Sequence, residues 1–218
     1  MKTSISFLKS KYDRAEAIAK IMETDTDYIH VDMMDGIFVE RSVLSISEVK
    51  DLLSNSKKLL DIHLMVAHPK NYINELAELN AKYITIHAEI QDDINELIDL
   101  IHSYGISAGI AINPESGVDS INDYLDNIEY VLIMGVDPGY GGQELKLESV
   151  KKIEELQSLR EQYNYHYQIS LDGGVNDKTR PLLNGLDIIV SGSYVCISDN
   201  YQEIINTLRW LSVFFFLI

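Results

Sequence analysis

Short apolar or β-branched segments recur eight times along the chain, separated by stretches with helical periodicity. Side chains alternate across a strand, whereas apolar residues three and four apart share one face of a helix. The pattern therefore predicts strands and helices in alternation. The predicted strands are residues 3–7, 28–33, 59–65, 83–87, 107–112, 130–135, 168–172 and 187–191, and the predicted helices are 12–22, 46–53, 71–79, 92–103, 147–161 and 201–211.

Strand count and chain length together favour one architecture of the α/β class. Eight strands at intervals of roughly 20 to 37 residues fit a (β/α)8 TIM barrel, whereas a doubly wound sheet usually needs fewer strands. Four prolines and no Ser/Gly tract leave no evident linker. We therefore expect a single barrel domain over residues 1–218, with its chemistry at the carboxyl ends of the strands.

Charge and cysteine content exclude several classes of function. The chain has 34 acidic and 18 basic residues, a net charge of -16, which argues against nucleic acid or an anionic membrane as a partner. Cys196, the lone cysteine, excludes an intrachain disulfide framework and fits a reducing, cytoplasmic location. Residues 1–8 do not resemble a signal peptide.

The apolar segment 211–218 is far shorter than the ~20 residues needed to span a bilayer. We interpret it as the end of a packed last helix or as the product of a shift in reading frame.

Titratable residues lie at the ends of three predicted strands. His30 and Asp32 are two apart, so they project to the same face of the second strand. His63 lies near the end of the third strand, and Asp172 ends the seventh. If these four side chains converge, two imidazoles and two carboxylates suit one Zn, Mn, Fe or Co ion better than Ca or Mg. Each residue alone could be an ordinary buried polar group, but the joint pattern favours a metal site.

Glycine-rich segments follow the last three predicted strands, at residues 137–143, 172–174 and 191–193. Glycine allows the backbone to approach an anion and turn its N–H groups toward it, and barrels often bind phosphate after strands seven and eight. We therefore expect a phosphorylated ligand held by backbone amides and a helix N-terminus, without an obvious Lys or Arg.

Several segments, taken in order, match one known family over nearly the whole chain. The specific parts are an HxDxMDG pattern at residues 30–36 and a GxGGQ loop at 139–143. The matching segments are residues 30–39, 61–66, 84–89, 109–116, 131–143, 171–175 and 189–193. Together they resemble the ribulose-phosphate 3-epimerase family.

This resemblance implies a barrel of the ribulose-phosphate binding type that interconverts D-ribulose 5-phosphate and D-xylulose 5-phosphate. It implies one divalent metal ion per chain, held by His30, Asp32, His63 and Asp172, the four residues already selected. Epimerisation at C3 requires a proton to leave one face and return on the other. Asp32 and Asp172 would alternate as acid and base, through a cis-enediolate. We also expect a homo-oligomer.

The resemblance also implies a substrate-binding set. Ser4 best matches a serine of the family, although Thr3 stands where a proline is usual. Three methionines match residues that line the family's site, although they could equally be barrel core. The full set is Ser4, Met34, Met65, Met134, Gly139, Gly141, Gly142, Gln143, Gly173, Gly174, Gly192 and Ser193.

The chain departs from the family pattern at two places. Residues 40–43 read Glu-Arg-Ser-Val where the family usually has Pro-Asn, and we expect this loop to cover the site. Gly135 stands where threonine is common. Both departures concern the choice of sugar more than the chemistry.

Three alternatives stay open from the sequence. The first is a 3-epimerase of a hexulose phosphate such as D-allulose 6-phosphate, which shares the same motifs. The second is the related decarboxylase and hexulose-phosphate synthase group, but residues 61–66 lack the Lys and second Asp of its Asp-x-Lys-x-x-Asp pattern. The third is a non-catalytic sugar-phosphate-binding barrel, for which the altered loop is the only indication.

Overall fold

Eight parallel strands close into a barrel in the computed structural model, which describes residues 1–210. The interpretation of residues 211–218 lies outside this part. Each barrel strand pairs with its neighbours, and β1 pairs with both β9 and β2, which closes the sheet. The strands are β1 (Lys2–Ser6), β2 (Tyr28–Asp35), β3 (Ser42–Val43), β4 (Leu59–Met65), β5 (Ala81–His87), β6 (Ser107–Ile112), β7 (Tyr130–Met134), β8 (Gln168–Asp172) and β9 (Ile188–Ser191).

This arrangement confirms the predicted fold and all eight predicted strands, whose ends agree within two residues. The additional strand, β3, was not predicted. It is two residues long and pairs antiparallel with the end of β2, Met34 opposite Val43. A strand this short has too few residues to show an alternating pattern.

Helices surround the barrel. They are α1 (Arg14–Met22), α2 (Ile46–Leu53), α3 (Lys70–Leu76), α4 (Ile94–Ser103), α5 (Leu147–Tyr163), α6 (Ser193–Cys196) and α7 (Tyr201–Trp210), with 3-10 helices at Val118–Tyr124 and Arg180–Leu182. Within residues 1–210, none of the helices has the length and apolarity needed to cross a membrane.

Local capping explains where two of the helices begin. The Asp93 side chain accepts hydrogen bonds from the backbone N–H groups of Asn95 and Glu96, so α4 starts at Ile94 rather than at the predicted residue 92. In α2, Ser45 and Glu48 form a reciprocal capping box. Such caps satisfy N–H groups that have no partner within the helix.

The barrel interior has an apolar layer beneath a polar one. Tyr83 and Tyr130 stack with ring centroids 4.5 Å apart, and Tyr28 packs on the edge of Tyr83 at 5.6 Å. Two residues further along β2, on the same face as Tyr28, the interior becomes polar at His30. The apolar layer therefore lies below the polar side chains, which are nearer the carboxyl ends of the strands.

Candidate active site

Four potential metal ligands meet at the carboxyl end of the barrel. His30 and Asp32 lie on β2, His63 on β4 and Asp172 on β8. The β2–β4 register places Asp32 directly opposite His63. One ligand atom from each residue lies within 4.8 Å of all the others. The structure thus brings together the four residues that the sequence selected.

The donor atoms of this cluster suit a divalent cation. Among the described residues 1–210, His30 Nε2 is buried without a hydrogen-bond partner, 3.3 Å from Asp32 Oδ1 and 3.8 Å from Asp172 Oδ2. His63 Nδ1 lies 3.3 Å from the same Asp32 oxygen. A buried polar atom without a partner is costly, and two nitrogens with two carboxylates match the preference of Zn, Mn, Fe or Co. The residues therefore fit such an ion.

The two carboxylates of the cluster have opposite pKa shifts. Burial and the neighbouring Asp32 charge raise the pKa of Asp172 to about 7. Burial alone would raise the pKa of Asp32, but His30 and His63 outweigh it and hold that pKa well below its ordinary value. Around neutral pH, the cluster therefore contains one carboxyl group that readily carries a proton and one that does not.

Asp61 is a buried carboxylate next to the cluster that the sequence did not single out. It is fully buried on β4, and its Oδ2 atom accepts hydrogen bonds from His30 Nδ1 and Ser4 Oγ, both at 2.8 Å. Burial alone would lower the pKa of His30, but the Asp61 and Asp32 charges raise it well above its ordinary value. Asp61 precedes His63 by two residues on one strand face, the same spacing as His30 and Asp32, and this was the available signal.

The prediction that Ser4, on β1, contacts the substrate requires a correction. Ser4 is buried against Asp61 and does not line the cavity, so the structure does not place it where a substrate-binding serine is expected. Ser6 lines the cavity, and its hydroxyl donates to Asp32 Oδ2 at 2.6 Å. The two serines share a face of β1, and Ser6 is one strand repeat nearer the carboxyl end.

A cavity of about 300 Å³ opens above the cluster. Asp32 and Asp172 form part of its floor, together with three methionines from β2, β4 and β7. The loops after β7, β8 and β9 form its walls. Of the predicted substrate-binding residues, those that line it are Met34, Met65, Met134, Gly139, Gly141, Gly142, Gln143, Gly173, Gly174, Gly192 and Ser193.

The glycine pair after β8 is required by packing alone. Gly174 has a φ angle of +72°, and a Cβ atom there would lie 2.6 Å from the backbone nitrogen of Leu145. A Cβ atom on Gly173 would lie 2.4 Å from a methyl group of Val136. The close approach of the β7 and β8 loops thus explains both glycines, whether or not they also bind an anion.

Lys9, in the loop after β1, is a cation at the cavity that was not predicted. It lines the cavity, and its ammonium group lies against Gly142, where a Cβ atom would be 2.5 Å from Lys9 Nζ. The sequence expectation assigned no Lys or Arg to this wall. The position of Lys9, three residues beyond Ser6, was the only signal.

The loop that departs from the family pattern contacts the β7 loop. Arg41 Nη1 donates to the carbonyl oxygen of Gly139 at 3.3 Å, and its guanidinium lies 5.4 Å from the ring centroid of Tyr140. Residues 40–43 do not themselves line the cavity. The expectation that this loop covers the site is thus corrected: it braces the glycine loop that does.

Behind His63 lies a second buried imidazole, His87, whose ring centroid is 5.0 Å away with an angle of 26° between the two ring planes. Burial is the main influence on both rings: it lowers the pKa of His63, and that of His87 to about 4. Both rings are therefore neutral near pH 7.

Fold and site together define a (β/α)8 barrel with a buried two-histidine, two-aspartate centre under a glycine-walled cavity. A sequence model described as the ribulose-phosphate 3-epimerase family matches residues 2–196. The chain belongs to this family, and the resemblance seen in the sequence is confirmed.

Relatives of known name agree over almost the full length. A ribulose-phosphate 3-epimerase of Helicobacter pylori strain J99 is 36% identical over 216 residues, covering 96% of this chain and 97% of the relative. That of Bacillus subtilis strain 168 is 33% identical, covering 88% and 90%. The rice relative, named as a cytoplasmic isoform, is 32% identical, covering 95% and 92%. The chain is accordingly an isomerase of the epimerase type.

Solved structures support the fold. A KGPDC structure from Streptococcus mutans superposes with a TM-score of 0.68 at 13% identity, covering 95% of each chain. A tryptophan synthase structure from Mycobacterium tuberculosis superposes at 0.67 with 12% identity, covering 95% of this chain and 91% of the other. At such low identity the likeness shows the barrel alone.

Proposed function

We propose that the protein is a metal-dependent 3-epimerase of a ketose phosphate, converting D-ribulose 5-phosphate to D-xylulose 5-phosphate. The observation that carries this proposal is the cluster of His30, Asp32, His63 and Asp172, whose two aspartates line the cavity. Its two aspartates come from β2 and β8, and so from different strands of the barrel. The names of the relatives support the same reaction.

Asp32 and Asp172 would transfer the proton at C3. A C–H group next to a ketone needs a base on one face and an acid on the other. We assign Asp32 as the first base and Asp172 as the first acid, since in the metal-free protein the pKa of Asp32 is lowered and that of Asp172 is raised to about 7. The roles reverse in the other direction. A bound divalent ion would supply Lewis acidity at the C2 and C3 oxygens.

The cavity walls would orient the sugar phosphate. Met34, Met65 and Met134 offer thioether surfaces that accept protons poorly and pack well against a reactive sugar. Ser6 replaces Ser4 in the proposed set, because its hydroxyl reaches both the cavity and Asp32.

The phosphate would lie over the loops that carry Gly142, Gly174 and Gly192–Ser193, where backbone N–H groups can donate to it. Lys9 adds a positive charge at the same wall. The remaining predicted wall residues, Gly139, Gly141, Gln143 and Gly173, would complete the set.

The donor set supports Zn, Fe, Mn or Co as the ion. A cytoplasmic location is supported by the lone Cys196, which is free and buried, and by the name of the rice relative. The homo-oligomer stays a prediction.

The direct test is a coupled assay of the metal-loaded protein with D-ribulose 5-phosphate. We expect turnover that is lost on chelation and restored by one equivalent of metal. Comparison of kcat/KM with D-allulose 6-phosphate decides the sugar, and a clear preference for the hexulose would overturn the pentulose assignment. Metal-loaded protein that binds the sugar phosphate without turning it over would instead identify a non-catalytic barrel.

A further inference from the structure

Buried polar contacts connect His63 to a carboxylate that does not touch the ligand cluster. His63 Nε2 lies 2.9 Å from His87 Nε2, and His87 Nδ1 lies 3.0 Å from Glu89 Oε2. The other carboxylate oxygen, Glu89 Oε1, accepts from the backbone N–H of Asn113 at 2.8 Å and from the hydroxyl of Ser116. Both histidines are fully buried.

If Glu89 is ionised, these contacts determine which nitrogen atom of His87 and of His63 carries the proton. An ionised carboxylate only accepts, so His87 Nδ1 must carry the proton and donate. A neutral imidazole has one donor and one acceptor, so His87 Nε2 must accept. The proton in the 2.9 Å contact then belongs to His63 Nε2, which leaves His63 Nδ1 with a lone pair toward Asp32.

We propose that Glu89 and His87 are positioning residues for the metal site, which fix His63 in the tautomer whose Nδ1 atom can bind the ion. The second nitrogen of a metal-binding histidine commonly donates to a carboxylate, and this contact sets both tautomer and orientation. Here the carboxylate of Glu89 does not contact His63 directly, because the imidazole of His87 lies between them. The proposal rests on the metal site of the proposed function.

Asp32 competes for the same proton. Its Oδ1 atom would accept from His63 Nδ1 if the tautomer were reversed, but this contact is 3.3 Å long. Reversal would also leave His87 Nδ1 facing the Glu89 carboxylate at 3.0 Å with no proton between them. When Glu89 sets the proton positions, His63 Nδ1 and Asp32 Oδ1 face each other as two acceptors with no proton between them. A bound cation would satisfy both atoms.

The substitution Glu89→Gln should reverse the whole series. The backbone N–H of Asn113 can only donate, so the amide oxygen would face it and the amide NH₂ group would face His87 Nδ1. His87 would then carry its proton on Nε2 and donate to His63 Nε2. His63 would hold its proton on Nδ1, where the metal must bind.

The test is Zn²⁺ affinity, measured by competition with a chromophoric chelator on the full chain. We expect Glu89→Gln to weaken binding by about 10- to 100-fold. Ser116→Ala is the matched control, since it removes a hydrogen bond to the same side chain but keeps the carboxylate. It should bind Zn²⁺ as the parent does. Equal affinity of the parent and Glu89→Gln would overturn the relay alone, whereas a parent that binds no divalent ion would overturn the metal site as well.

Two further measurements separate positioning from a general loss of packing. In ¹⁵N-histidine NMR spectra of metal-free protein, the parent should show His63 protonated on Nε2 and Glu89→Gln should show it protonated on Nδ1. In a double-mutant cycle, His87→Phe removes the hydrogen-bonded link between Glu89 and His63. Adding Glu89→Gln to this variant should therefore cause no further loss of Zn²⁺ affinity. The same His63 tautomer in both proteins, or additive losses in the cycle, would refute the proposal.

Discussion

Each histidine of the cluster has one ring nitrogen toward the proposed metal position, while its other ring nitrogen is linked directly or indirectly to a carboxylate. For His30 the contact is direct, since its Nδ1 atom donates to Asp61. For His63 the contact is indirect: its Nε2 atom meets His87, and His87 in turn meets the carboxylate of Glu89. Burial makes these contacts decisive, because a buried imidazole nitrogen without a partner is costly. The residues behind the cluster therefore help to fix which ring nitrogen of each histidine carries the proton.

Glu89 should also make stability depend on pH. Burial alone would raise its pKa, but hydrogen bonds from His87 and Ser116 lower it to about 2. A carboxyl group with a lowered folded-state pKa stabilises the protein above its unfolded pKa and loses this contribution as the pH falls toward 2. Glu89→Gln should therefore lower the free energy of unfolding by about 1 to 3 kcal/mol at pH 7.

Urea denaturation of metal-free protein at several pH values checks this. The difference between parent and Glu89→Gln should shrink steadily below about pH 4.5, the ordinary value for glutamate. Glu96→Gln, at an exposed glutamate on α4, serves as the control and should differ from the parent by less than about 0.5 kcal/mol throughout. A Glu89→Gln deficit that stays constant down to pH 3 would contradict the expectation.

Lys9 should contribute to substrate binding rather than to proton transfer. Its ammonium group lies beside Gly142, at the cavity wall where we propose that the phosphate binds. Lys9→Gln should therefore raise KM about tenfold, in line with the loss of one charge-assisted contact, and leave kcat nearly unchanged. The effect should weaken in high salt. Lys11→Gln, which removes an ion pair with Asp199 on the outer surface, should leave KM unchanged. Equal KM values for the two variants would show that Lys9 does not contribute to substrate binding.

At the level of single residues, the sequence predicted the four candidate metal ligands, because their positions near strand ends and the two-residue spacing determine which side chains converge. It did not separate Ser4 from Ser6, since both share a face and only depth along the barrel distinguishes them. Lys9 was missed because loop conformation, unlike strand direction, leaves no periodic pattern.

Among the elements, α2 depends on a local signal at its first turn. The Ser45 hydroxyl accepts from the backbone N–H of Glu48, whose carboxylate accepts from the backbone N–H of Ser45. Ser45→Ala should lower the free energy of unfolding by about 1 kcal/mol, measured by urea denaturation. Ser158→Ala, an exposed serine within α5 that caps nothing, should cost nothing. Equal losses would show that the capping box adds no stability.

The elements were largely predictable because eight buried strands give short apolar runs and the helices between them have one apolar face. The 3-10 helices at Val118–Tyr124 and Arg180–Leu182 were not, since they are too short or too polar for periodicity.

For the whole molecule, the ion should add stability to a fold that forms without it. The buried strands and helices supply the core, and the ligand cluster lies above it. Zn²⁺ at about 100 times its Kd should stabilise the folded state by about 2.7 kcal/mol, which corresponds to a Tm rise of roughly 5–10 °C for a chain of this size. Differential scanning calorimetry of chelated protein, with and without Zn²⁺, measures it.

Mg²⁺ is the control ion, because it prefers oxygen ligands and should shift Tm far less than Zn²⁺. Equal shifts for the two ions, or none for either, would contradict a site with two nitrogen donors. The prediction of one domain over the whole chain stays a prediction.

Exchange of the C3 proton with solvent deuterium, followed by ¹H NMR in metal-loaded protein, tests the two-aspartate mechanism most directly. Asparagine keeps one oxygen ligand but cannot take up the proton. We predict that Asp172→Asn exchanges the C3 proton of one epimer only, that Asp32→Asn exchanges that of the other, and that neither completes epimerisation. If both variants epimerise at near-parent rates with metal bound, another pair of residues carries the reaction and the account is wrong.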